Sequence, residues 1–428
     1  MAHVAPSDLA AMDLAHSSQP DLAGSGCDSC PNACDETTTP PRCTHLVPTG
    51  PVVAADFTQD GLTAHVVSAD IVIDTDSGAI TGGLTRPTGA GVMGGVGFRV
   101  ATQNGPSVGV FSVAGLTIAN TATITFTGSN AFALASAGAL TLNGTINASC
   151  SGLHNPGPGG FAGATSTMAA GGPAAGANGA GSMLGAASGG GGAGFGDSGG
   201  KGAQGMALTT TAAGGIYGDL TIPTFVLIGG SGGGLGGGTM SMTNGGLGGP
   251  GGGAVQLSID GTVTINGVIT VGGCGGAGAT AAAGGGGGSG GAIVIEGARI
   301  SLATGSVLAA NGGGGGGATV VNASGDGATG SASTARATGG NGMALGGNGG
   351  VGGASAGHPG LHFTQGGDGV ALTGPQAVGG GGGGGCGRIA LRARNNSIDD
   401  QSSAVTPDLT DTNTAGTHET SYGAATFQ

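Results

Sequence analysis

The stretch Ala131 to Ser149, AFALASAGALTLNGTINAS, aligns without a gap on Ala254 to Gly272, AVQLSIDGTVTINGVITVG. Ala131, Leu134, Gly138, Thr141, Asn143, Gly144 and Ile146 recur identically, while Phe132/Val255, Leu140/Val263 and Leu142/Ile265 recur in kind. A third copy, Ala292 to Gly313, follows the second by 37 to 38 residues and needs a one-residue slip. Leu116 and Ile118 stand 24 residues before Leu140 and Leu142, and Ile389 and Leu391 repeat the opening pair of a copy. Apolar residues alternate within each copy with the period of a strand, and Gly or Asn-Gly interrupts them at corners. One such unit cannot bury its inward row; stacked copies bury a continuous column. The pattern predicts an all-β chain with helix nearly absent, folded as a right-handed parallel β-solenoid (β-helix). Leu134/Leu257/Ile295 and Leu142/Ile265/Leu302 are then neighbouring stacked rows of the core.

Glycine-rich tracts separate the copies, at 156–205, 229–253, 272–291, 312–353 and 379–385, and glycine reaches 107 of 428 residues. Collagen is excluded, because the glycines come in runs and proline numbers only 17. Ordinary disorder fits poorly with 7% charged residues and a mean hydropathy of +0.23. Two readings stay open. The tracts are either loose surface loops or extended polyproline-II-like strands packed side by side. The second demands that their N–H and C=O groups pair with neighbours, since such strands have no internal hydrogen bonds. The solenoid is expected over 51–394, after a linker at 1–26 and a small cysteine-rich segment at 27–50. A polar tail or cap follows at 395–428.

Cys27, Cys30, Cys34 and Cys43 are spaced C-x2-C-x3-C-x8-C, which suits two disulfides or one zinc site. The lone fourth cysteine beside Pro40 and Pro41 favours disulfides, and with them an oxidising compartment. Cys150, Cys274 and Cys386 each stand where a copy meets a glycine tract. The alignment sets Cys150 one residue from Cys274, so a disulfide or close thiol pair is expected there, with Cys386 as third neighbour or free thiol.

A formal net charge of −13, with Lys201 the single lysine, leaves no basic footprint for nucleic acid. No run of apolar residues is long enough to span a membrane. Several matches to catalytic motifs are what low complexity produces by chance. Gly229 to Gly233 satisfies G-x-S-x-G but lacks a following helix and His and Asp partners. The stretch Gly366 to Gly369 only partly matches a calcium nonapeptide, which must recur in tandem. His358 and His362 flank a Pro-Gly turn instead of sharing a helix face. Asp70, Asp74 and Asp76 are closely spaced acids of the kind a polysaccharide-cleaving β-helix uses, although solvated acids at a strand end fit as well. Thr121, Thr123, Thr125 and Thr127 put hydroxyls on one strand face. An ice-binding solenoid repeats such a face on every coil, and Thr141, Thr264 and Thr270 supply only a partial row. Arg388, Arg392 and Arg394 alternate with Ile389 and Leu391, so they are expected to coat the outside of the last coil.

The recurring Asp-Leu-Ala triplets at Asp8, Asp13 and Asp21, the cysteine cluster ending PRCTHLVPTG, IVIDTDSGAITGG from Ile71 to Gly83, and the alternation of GGGGGSGGAIVIEG with ANGGGGGG together resemble a family of glycine-rich surface lipoproteins of deltaproteobacterial type. The resemblance runs over nearly the whole chain. In composition the tracts are also similar to those of polyglycine-bundle phage adhesins and glycine-rich mycobacterial surface proteins. The lipoprotein resemblance implies a protein tethered outside the cell by an acylated cysteine and a linker, although the chain as it stands shows neither signal peptide nor lipobox. It implies no catalytic residue.

These readings converge on a non-enzymatic extracellular or cell-surface protein of structural or adhesive type. Its expected partner is a surface or matrix component or further copies of itself, and no cofactor is expected. The alternatives are a β-helix polysaccharide-cleaving enzyme and an ice-binding solenoid. Poverty in titratable groups argues against the enzyme, because an active site needs several of them converging in one concavity.

Overall fold

The computed structural model describes residues 34–35, 42–181, 185–205, 209–220, 225–239, 245–354, 366–371, 377–408 and 419–428. Among the described residues the regular elements are β-strands and one short 3-10 turn, Ala54–Phe57, with no α-helix. The repeats explain why. Each contributes a strand to three rows, and each strand pairs in parallel with its counterpart one repeat earlier.

The first row runs Val108–Val113, Ala131–Ser136, the opening of Ala254–Ile265, the opening of Ala292–Leu302, Arg388–Arg394 and Thr420–Phe427. The second runs Ala64–Val67, Gly115–Ile118, Leu140–Leu142, the ends of the same two long strands, and Ile398–Asp400. The third runs Ile71–Asp74, Thr123–Thr127, Thr145–Asn147, Val268–Thr270, Val307–Ala309 and Ala404–Thr406. All three rows therefore continue beyond residue 394. The slip of the third copy is a bulge between Ile259 and Thr262, where the second copy carries one extra residue.

Inward side chains form one core. Leu134 pairs with Leu257 and Leu257 with Ile295; Leu142 pairs with Ile265 and Ile265 with Leu302. Five of these six are fully buried and Leu134 nearly so. At the amino-terminal end the pairing turns antiparallel. Gly91–Met93 and Val96–Ala101 fold back onto Val108–Val113, and Ile80–Gly82 folds onto Ile71–Asp74. Phe98, Ile80 and Leu84 cover that end of the core.

The glycine tracts leave the third row and return to the first, and what they build between is a lattice. Along 284–291 the N–H groups point in three directions in turn. Gly284, Gly287 and Gly290 donate to Gly379, Gly382 and Gly385; Gly285, Gly288 and Gly291 donate to Ala277, Cys274 and Val271; Gly286 and Ser289 donate to Gly234 and Ser231, all at 2.8–3.1 Å. The carbonyls face three further strands, accepting from Gly190 and Ala193, from Gly316 and Gly313, and from Gly249 and Gly252. A threefold screw such as polyproline II is the backbone form that distributes bonds this way. Glycine is required for a steric reason: a Cβ on Gly286 would strike the carbonyl oxygen of Gly191, and one on Gly287 that of Gly313. Short polar side chains terminate the lattice at its rim. Asn178 accepts from Leu235 N at 3.0 Å, and Asp326, Asp368 and Asn348 accept from Gly278, Lys201 and Gly342 N at 2.7 Å.

The slab covers the outer face of the first row. Val110, Ala133, Val294 and Ala390, which point away from the main core, are buried in a second cluster with Phe195, Phe225 and Leu227. That covering corrects the expectation for the arginines. Arg388 and Arg392 are each only 8% exposed, because the strand they ride on lies beneath the slab and is followed by one more, Thr420–Phe427.

Candidate functional site

Three places gather polar side chains. The first is a clamp across the outer face of the first row. Ser258, Glu296 and Arg392 occupy one register position on consecutive strands. Ser258 Oγ donates to Glu296 Oε2 at 3.0 Å, and Arg392 Nη1 lies 3.0 Å from Glu296 Oε1. Residues 44–53 cross these strands. Thr49 N donates to Glu296 Oε2 at 3.2 Å, Thr49 Oγ1 also donates to Glu296, and Gln256 Nε2 donates to Thr49 O at 2.8 Å. Arg392 completes its bonding with Leu220 O and stacks 5.3 Å above the Phe225 ring. Nearby, Asp260 accepts from Leu46 N and lies 2.6 Å from His45 Nδ1. Leu46–Val47 itself pairs antiparallel with the end of Thr420–Phe427.

The second is the acidic turn. Asp70 accepts from Thr123 N at 2.8 Å; Asp74 accepts from Asp76 N, Ser77 N and Ser77 Oγ; Asp76 accepts from Ser129 N and Asn130 N at 2.9 Å. Burial pushes the Asp74 carboxyl up, but the bonds from Ser77 and Asp76 outweigh it and hold the group below the ordinary carboxylate range. Each acid thus ties its own turn or a strand of the next repeat.

The third is a cleft of about 830 Å³ beside the clamp, walled by Val47, Pro48, Pro51, Val52 and Phe225. His45 is the only ionisable side chain among its lining residues. The cleft has room for a ligand, and the side-chain carboxylate beside its histidine, that of Asp260, is engaged by His45 and by Leu46 N.

The remaining sequence candidates divide clearly. Cys150 and Cys274 are disulfide-bonded, with Cα atoms 5.7 Å apart, where Cys150 N donates to Gly272 O across adjacent coils. Cys386 is a buried thiol. Cys43 is disulfide-bonded, and its backbone pairs antiparallel with that of Cys34. Cys27, Cys30, His358 and His362 lie outside the described residues. Ser231 of the G-x-S-x-G match is fully buried in the lattice, donating to Tyr217 Oη at 3.0 Å. Burial drives the Tyr217 phenol well above its ordinary value. No group of three or more His, Cys, Asp or Glu could hold a metal among the described residues. Among them, too, no helix is long and apolar enough to cross a membrane.

Sequence reasoning missed the clamp entirely. It was found neither by motif nor by repeat, since Thr49 and Arg392 are 343 positions apart. The only available signal was a glutamate inside an apolar strand, Glu296 in AIVIEG. Comparison with protein-family models, curated proteins and solved structures finds no match to this chain.

Proposed function

We propose that this chain is a non-enzymatic structural or adhesive protein of the cell surface or extracellular space. In this reading it is a right-handed parallel β-solenoid whose coils carry a slab of packed polyglycine strands. Successive parallel crossovers favour that hand. The observation that carries the reading is the bonding of 284–291 to six neighbouring strands. A body built from mutually bonded backbone presents broad faces and few accessible loops, which suits a load-bearing or display role. The disulfide between Cys150 and Cys274 is compatible with an oxidising location outside the cell.

The polysaccharide-cleaving alternative is less well supported, because Asp70, Asp74 and Asp76 each accept backbone N–H groups at their turns. Purified protein is tested by limited proteolysis, by light scattering for self-association, and against a panel of polysaccharides. Protease resistance without sugar release supports the reading. Release of sugar fragments that is lost in Asp74→Asn overturns it.

A further inference from the structure

The outward positions of the second row form a column. Thr117 pairs with Thr141, Thr141 with Thr264, and Thr264 with Ser301. Parallel neighbours stand about 4.8 Å apart, so hydroxyls repeat at that spacing on consecutive rungs. One corner away, the third row sets Thr123 beside Thr145 and continues as Val268 and Val307, keeping a β-branched side chain on every rung. All eight side chains are half-exposed.

The six hydroxyls differ from others on the surface. Thr121, Thr125 and Thr304 donate to carbonyls of the neighbouring coil, whereas Thr117, Thr123, Thr141, Thr145, Thr264 and Ser301 make no side-chain hydrogen bond among the described residues. They are open to an external partner. The rungs of the two columns carry no charge, although the chain bears −13 overall; charges flank them, with Asp70 one rung before Thr123 and bonded to its N–H, Asp399 one rung beyond Ser301, and Arg299, paired with Asp399, two residues before Ser301 on the same strand. The backing is rigid: Leu142, Ile265 and Leu302 beneath are fully buried. Asn266 Nδ2 donates to Asn143 Oδ1 at 2.7 Å on the corner between the columns.

We propose that these columns are a binding face for an ordered, uncharged solid, and that the solid is ice. The hydroxyl rungs themselves are uncharged, and the nearest acids, Asp70 and Asp399, are already engaged by Thr123 N and Arg299, which disfavours polyelectrolytes and charged peptides as the matched partner. The lack of an aromatic platform disfavours sugar rings. A fixed hydroxyl repeat can hold waters in register, and because the rungs are already rigid, little ordering cost opposes docking. Each threonine adds a methyl group beside the hydroxyl, giving apolar contact on the same lattice. The inference stands on strand register and does not depend on the surface-protein reading.

The test is incorporation of the purified full-length chain into slowly grown ice, together with the gap between its melting and freezing points. The chain is expected to enrich in ice and to open a measurable gap. Thr141→Tyr and Thr264→Tyr should abolish both while leaving the circular dichroism melt unchanged, and Thr210→Tyr on the slab should abolish neither. Thr264→Lys, whose solvated tip sits easily at a half-exposed position, repeats the test should either tyrosine variant fail to fold. Exclusion of the parent chain from ice overturns the proposal, as does full ice affinity in the folded column variants. Retention on crystalline cellulose or chitin without ice affinity also overturns it, assigning the face to a neutral polysaccharide.

Discussion

Glu296 and Arg392 share one register position on adjacent parallel strands, and both are nearly sealed from solvent, with Nη1 3.0 Å from Oε1. Thr49 bonds to both of them, so residues around Thr49 are fastened to two adjacent strands at once.

Removing one partner of this pair leaves a buried charge without compensation. Glu296→Ala is expected to cost about 3–5 kcal/mol, read as a fall in the denaturant midpoint. The exposed pair Arg299–Asp399, 3.5 Å apart, is a contrasting case in which Asp399→Ala should cost no more than about 1 kcal/mol. Equal losses at the two sites would contradict the burial argument.

Leu257 lies between Leu134 and Ile295 and is fully buried. Leu257→Ala should cost about 2–5 kcal/mol. Leu257→Asp should yield no folded protein, since the column offers a carboxylate no partner. Thermal melts followed by circular dichroism distinguish the two.

Gly286→Ala places a methyl group against the carbonyl of Gly191. Overpacking of this kind typically costs about 1–3 kcal/mol, and the lattice has no side chain there to move aside. A lowered melting temperature with the strand signal of the rows retained is the expected result. A variant as stable as the parent would show that the tracts do not pack this way.

The Cys150–Cys274 bond closes a sequence separation of 124. Replacing both cysteines with serine should cost about 2–5 kcal/mol, and unreduced peptide mapping should recover the two segments as one linked species. Finding both thiols alkylated without reduction would remove the bond.

Asp74 has its pKa lowered on folding. Its contribution is therefore fully present above the unfolded carboxylate value of about 3.9 and fades as the pH falls through the lower folded value. The stability gap between the parent chain and Asp74→Ala should be constant near neutrality and close only in strong acid. A gap that already closes at neutral pH would place the titration on another group.

The pairing of Leu134 with Leu257 and Ile295 was legible in the sequence because alternation is local and a stacked coil repeats its neighbour's inward residues. The partnership of Cys150 with Cys274 followed from the same alignment. The hydroxyl column was implicit in the same offsets: the 24-residue step that sets Leu116 and Ile118 on Leu140 and Leu142 sets Thr117 on Thr141, and stacking Leu302 on Ile265 sets Ser301 on Thr264. Arg388 and Arg392 were read as exposed because alternation places a side chain on the far face of a strand without saying what covers that face.

What the tertiary structure alone decided is the covering. A glycine run has no side-chain pattern, so nothing in 284–291 names the six strands that surround it; the choice is made by backbone donors and acceptors that every residue carries alike. The clamp has the same origin, since Thr49 meets Glu296 across 247 positions only after the repeats have paired into rows. The sequence by itself determined the rows, their register and their core, because apolar periodicity is a local property. The packing of the tracts over those rows waited on the fold, because it depends on contacts between segments that share no local signal.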